Sequence, residues 1–167
     1  MSDSSHYRAT QKGFTLIELI VVIAIVTILA SAAMPLAQMT VKRAKEMELR
    51  GSLRLLRMAI DAFRKDCEEK RLASDYCKSD EYNLPESLEQ LSAPLKLAGP
   101  GNRIKRYLRR IPKDPMTASL SPDITNNWGL RSYTDAPDSM QWGGGNVFDV
   151  YSKSEAVALD GSKYNTW

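Results

Sequence analysis

Few residues of this 167-residue chain have the type and setting to do chemistry. The most telling is Glu18, the one charge in an apolar run that opens at Phe14 and continues to Pro35. An ionised carboxylate within a bilayer helix costs on the order of 2.5–3.5 kcal/mol on insertion scales, so it needs a partner or a task. No Lys, Arg or His follows it until Lys42. A cut after Gly13 would create a partner. It frees an α-amino group on Phe14, four residues before Glu18, and the ammonium of one copy could meet the carboxylate of another. The bland alternative is a Glu near the interface that reaches water or takes up a proton. The residues alone leave both readings open.

The other candidates are weaker. The sole histidine is His6, ahead of the apolar run. With that leader removed, Ser-His and Cys-His nucleophiles are excluded. Cys67 and Cys77 are the only cysteines, both beyond the apolar run. An even count across an oxidising membrane face favours one disulfide closing a short loop, with two buried thiols as the alternative. Their spacing does not suit a metal site. Gly143-Gly144-Gly145 has no helical pattern after it, so it reads as a hinge or turn and not a phosphate cradle. Glu68-Glu69 and Asp80-Glu81 read as solvated ends of elements.

Arg103, Lys105, Arg106, Arg109 and Arg110 form a basic cluster with Tyr107 as its one stacking ring. One ring is thin support for a nucleic-acid surface, and a net charge of +3 does not call for one. Charge is unevenly spread, however. Lys42–Arg71 has ten Lys/Arg against six Asp/Glu, and Asp114 to the end has seven acids against three bases. This asymmetry suggests complementary faces: the cluster of one copy could meet the acidic C-terminal part of another. No nucleic-acid partner is expected.

Positioning these residues requires two kinds of helix. About 20 apolar residues span the ~30 Å hydrocarbon core of a bilayer, so the Phe14–Pro35 run can cross a membrane. Arg8 and Lys12 precede it, which puts the leader on the cytoplasmic side. Pro35 should loosen or kink the helix. Gln38–Glu48 is polar and reads as a neck. Then Leu49, Leu53, Leu56, Ile60, Phe63 and Cys67 recur at steps of 4, 3, 4, 3 and 4, one face of a helix that packs on a head. Arg71–Pro85 reads as a loop. A short helix is expected over Glu86–Ala98, broken by Gly99-Pro100-Gly101-Asn102, and a helical turn over Arg103–Arg110. Strand-like runs follow at Leu130–Thr134 and Val147–Ser152, with a third short one at Val157–Leu159. The expected fold is therefore α+β, a long N-terminal helix on a small antiparallel sheet.

Lys12-Gly13-Phe14-Thr15-Leu16-Ile17-Glu18, followed by the apolar run, resembles the processing site of type IV pilins and type II secretion pseudopilins. The resemblance implies that a membrane prepilin peptidase cuts between Gly13 and Phe14 and N-methylates Phe14. It implies that Glu18 guides docking into a filament, and Pro35 sits where the family commonly has a helix-loosening proline. Residues 1–13 would be the leader, 14–37 the membrane and filament-core helix, and 38–167 the periplasmic head.

The head is similar to that of the major, G-type pseudopilin at Ile111-Pro112-Lys113-Asp114-Pro115, at Asn127-Trp128-Gly129 with Tyr133, and at Val147–Ser152 through Asp160-Gly161 to Trp167. By that resemblance the C-terminal loop could hold a calcium ion, with Ser152 and Asp160 as candidate ligands. Only Glu155 and Asp160 supply acids there, while Lys153 and Lys163 oppose a cation; no cofactor is required. The implied function is structural. The subunit is held in the bacterial inner membrane by a single pass, N-terminus cytoplasmic, then passes into a periplasmic helical homo-polymer. Its partners would be the peptidase, the inner-membrane assembly platform, minor pseudopilins and the lipid bilayer. Alternatives are a surface type IV pilin, for adhesion, motility or DNA uptake, and a membrane-anchored periplasmic enzyme.

Overall fold

The computed structural model describes residues 13–77, 82–117 and 127–167, with the side chains of 32–36 excepted. The residues ahead of Gly13, the Asp80-Glu81 pair and the expected loosening at Pro35 lie outside the described residues. By its contacts the chain divides into two units, one ending at Val41 and one comprising Lys42–Trp167.

Helix α1 runs Leu16–Glu68 and contributes to both units. In the first unit its side chains are uncovered on every side: Leu16, Ile17, Leu19 and Ile20 through Leu29 are all exposed. Among the described residues no helix is long and apolar enough to cross a membrane; the described side chains of the apolar run end at Ser31.

In the second unit the architecture is α+β. The expected stripe is the core face of α1: Leu49, Leu53, Leu56, Ile60, Phe63 and Cys67 are all buried. Trp128, Val147, Val150 and Tyr164 pack on it from the C-terminal half. Two antiparallel pairs complete the unit. Strands β1 (Leu95–Lys96) and β2 (Ile104–Lys105) pair with Leu95 opposite Lys105. Strands β3 (Trp128–Arg131) and β4 (Asp149–Ser152) pair with Gly129 opposite Tyr151. Gly129 is required there: a Cβ would lie 2.2 Å from the Tyr151 ring. Tyr151 in turn carries the Arg131 guanidinium at 4.2 Å, a cation–π contact, and donates its hydroxyl to the Met140 carbonyl.

Several expectations need correction. The Glu86–Ala98 helix is only α2, Leu88–Ser92. Pro94 disfavours the helical region for the residue before it, and Ala93 is extended at ψ 154°. Leu84, Leu88, Leu91 and Leu95 are nonetheless all buried, from a loop, a helix and a strand in turn. The Arg103–Arg110 helical turn is absent; the segment begins as β2. Gly99 and Gly101, at φ 99° and 100°, reverse the chain so that it pairs back on β1. The first strand of the second pair begins at Trp128 and stops at Arg131, because the Asp135 carboxylate accepts the Ser132 N–H at 2.7 Å and closes a turn. The third strand reduces to a single bridge between Val157 and Lys163. The polar neck is shorter than expected, since Glu46 is buried against the head. A count of apolar positions cannot see a buried carboxylate.

One such carboxylate fastens the basic segment. Asp66, next to Cys67 near the end of α1, is 1% exposed. It accepts hydrogen bonds from Arg71 Nε at 2.8 Å, from Tyr107 Oη at 2.6 Å and from Lys105 Nζ. Burial pushes its carboxyl up, but the bonds from Lys105, Tyr107 and Arg71 and the Lys105 charge outweigh burial, so the group titrates below its ordinary value. Burial, then the bond to Asp66 and its charge, push the Tyr107 phenol well above its own. Beside them Cys67 and Cys77 form a disulfide, whose short loop is worth about 3 kcal/mol in the chain-entropy account.

Asp66→Asn should destabilise the second unit by about 2–3 kcal/mol at neutral pH, toward the lower end of buried-pair losses because Lys105 and Arg71 are half exposed. A carboxylate with a lowered folded pKa stabilises fully above its unfolded value of about 3.9 and loses that contribution as pH falls through the folded value. The difference between variant and parent in urea unfolding should therefore hold near neutrality and shrink below about pH 4.

Candidate functional site

At the N-terminal end the helix begins just past the expected cut. Gly13, Phe14 and Thr15 are outside the helix, and Phe14 is 87% exposed. Thr15 caps α1: its hydroxyl accepts the Glu18 N–H at 3.3 Å, and its carbonyl accepts the Leu19 N–H at 3.2 Å. Thr15-Leu16-Ile17-Glu18 is thus the S/T-x-x-E capping pattern. That signal is present in the sequence. Its consequence is local: the Gly13–Phe14 peptide bond is non-helical and open. A Cβ at Gly13 would meet nothing within 4 Å, so this end of the chain does not itself demand glycine. Glu18 lies in the first turn of α1, where the helix dipole favours a negative charge.

The basic segment is sorted by the fold into two sets. Lys105 and Tyr107 turn inward to Asp66. Arg103, Arg106, Arg109, Arg110 and Lys113 are exposed. Arg109, Arg110 and Lys113 border an open groove of about 720 Å³ whose other wall is Glu48, Ser52 and Leu55 of α1. Tyr107, the one ring considered for base stacking, is hydrogen-bonded to Asp66 and packed edge-on to Phe63. The acids of the C-terminal half are largely engaged within the chain. Asp114 is buried under the Ser152 hydroxyl, Asp135 closes its own turn, Asp149 accepts from Arg57 and Arg131, and Asp160 from Arg50. Asp138, Glu155 and Asp160 remain exposed, so only part of the acidity expected of an outward face is spent inside the chain.

The two candidate calcium ligands of the C-terminal loop are each bonded within the chain. Ser152 is fully buried and its hydroxyl donates to Asp114 at 2.6 Å. Both Asp160 oxygens are engaged: Oδ1 accepts from Ser162 N–H and O–H, and Oδ2 from Arg50. One buried loop oxygen, Asn165 Oδ1, has no donor, but calcium takes six to eight oxygens, largely carboxylate and carbonyl. Among the described residues no group of three or more His, Cys, Asp or Glu could hold a metal ion.

Residues 8–34 match the prokaryotic N-terminal methylation motif. The chain is 46% identical over 52 residues to a type IV major alpha-pilin of Moraxella bovis, a match covering 31% of this chain and 33% of that protein. It is 26% identical over 151 residues to type II secretion system core protein G of Pseudomonas aeruginosa, covering 86% of this chain and 95% of that protein. No solved structure matches the chain. The chain thus carries the prokaryotic N-terminal methylation motif and is similar over most of its length to a type II secretion system core protein G.

Proposed function

We propose that this chain is the repeating subunit of a periplasmic pseudopilus, a helical filament that drives protein export by type II secretion. The reach of the two similarities carries this reading. Similarity to the pilin is confined to 31% of the chain, whereas similarity to secretion protein G extends over 86%. The subunit catalyses nothing. A prepilin peptidase cuts between Gly13 and Phe14 and methylates the new amine. Residues 14–37 hold the subunit in the inner membrane and then bundle in the filament core; an assembly platform and minor pseudopilins attend that transfer. The uncovered apolar surface of α1 supports it, because such a helix needs lipid or its own copies around it. A second copy is also the partner we assign to the exposed cations beside the Leu55 groove. Deleting the chain from its host and restoring it tests the whole reading: export should fail and return, with filaments visible on overexpression. Surface fibres that form without the outer-membrane channel would favour a type IV pilus instead.

Processing should depend on Gly13 through the enzyme and not through the fold. Gly13→Ala should slow the cut and Gly13→Leu abolish it, with urea unfolding of the head unchanged. Intact-mass measurement should find the mature chain beginning at N-methylated Phe14; filaments built from subunits that keep Met1 would overturn this step.

Glu18→Ala should leave insertion and cleavage intact. The cap bond uses the Glu18 backbone N–H, so alanine keeps it. Assembly should fall by about tenfold or more, because the amine of a neighbouring Phe14 loses its carboxylate in a dry core, a loss of several kcal/mol. Glu18→Asp should assemble in part. The measurement is filament yield relative to the processed membrane pool, and wild-type yield from Glu18→Ala would make Glu18 an interfacial residue only.

A further inference from the structure

The C-terminal loop is anchored on one face of α1. Lys42, Glu46, Arg50 and Arg57 recur at steps of 4, 4 and 7, which stacks them along the helix. Lys42 Nζ donates to the Val157 carbonyl at 2.7 Å. Glu46 Oε1 accepts the Leu159 N–H and the Tyr164 hydroxyl, each at 2.8 Å. Arg50 pairs with Asp160 at 3.2 Å and lies 4.3 Å over the Trp167 ring. Arg57 donates to the Trp167 and Val150 oxygens at 3.1 Å each, and to Asp149 at 2.7 Å. The loop is closed on itself as well: Trp167 Nε1 donates to Ser162 Oγ at 2.7 Å, and Tyr164 meets Trp167 edge to face at 5.2 Å.

We propose that these four side chains of α1 hold the loop in place of the calcium ion that the family resemblance implies, so that it is ordered without any divalent cation. Two observations carry this. First, the oxygens a cation would take are already engaged: the Val157 carbonyl by an ammonium and the Asp160 carboxylate by a guanidinium and Ser162. Second, the surroundings are cationic, with Lys42, Arg50 and Arg57 facing the loop from α1 and Lys163 within it. Tyr164 is fully buried. Burial, with the Glu46 bond and charge, pushes its phenol up to about 12, so it remains a donor to Glu46 at any physiological pH.

The test is amide hydrogen exchange on the full chain in detergent micelles, in millimolar calcium chloride and in EDTA. Protection across 157–167 should be the same in both. Glu46→Ala should speed exchange there by about tenfold or more while β3 and β4 stay protected, as expected for a loop that opens separately from the core. Glu46→Gln, whose amide oxygen can still accept, should stay near wild type, and Tyr164→Phe should fall between. Should Glu46→Ala not fold, Tyr164→Phe and Arg50→Gln carry the same comparison. Saturable protection by calcium would overturn the proposal, as would loop protection unchanged in Tyr164→Phe and Arg50→Gln. Neither readout requires filaments, so it can fail while the pseudopilus reading stands.

Discussion

Burying a Leu, Ile or Val side chain is worth about 1.5–3 kcal/mol, and from Leu16 to Leu29 this chain presents such side chains on every side of a helix with none of them buried. The single copy has no means of recovering that free energy. A surface of this extent is a demand for an environment, whether lipid or neighbouring helices. Within it, a carboxylate in the first turn is tolerable because the helix end is electropositive and because Thr15 already satisfies one of the free N–H groups there.

The second unit solves a different problem. Its core is small, and its α1 face must grip segments that arrive from far along the chain. Apolar packing supplies the area, but three carboxylates set the register. Asp66 fixes the basic segment through Lys105 and Tyr107. Asp149 joins β4 to Arg57 and Arg131. Glu46 holds Tyr164 and the Leu159 N–H. Each is reached by several donors, as Glu46 and Asp66, the two that are buried, require.

The sequence was informative where one force acted alone. The stripe from Leu49 to Cys67 was legible because its spacing has a single explanation, and the lone Glu18 because a charge in an apolar run is costly. It was less so where effects compete. The leucines of 84–95 keep a helical spacing, yet Pro94 ends the helix and the same residues reach the core by another path. Strand limits near Arg131 depended on which side chain closes the turn, which Asp135 decides by geometry alone. The roles of Glu46, Asp66 and Asp149 were invisible, since each has a partner 39 to 118 residues away. So part of the acidic C-terminal half, which looked like an outward face, is bonded within the chain, while Asp138 and Glu155 stay exposed.

The grip of Glu46 on Tyr164 also fixes an order of events. Its two ends are 118 residues apart, and Arg57 reaches the Trp167 carbonyl across 110. Contacts between the two ends of a unit cannot form until synthesis has delivered both, and closing such separations is slow. The segment around Tyr164 can therefore dock on α1 only after everything between it and Glu46 has been made.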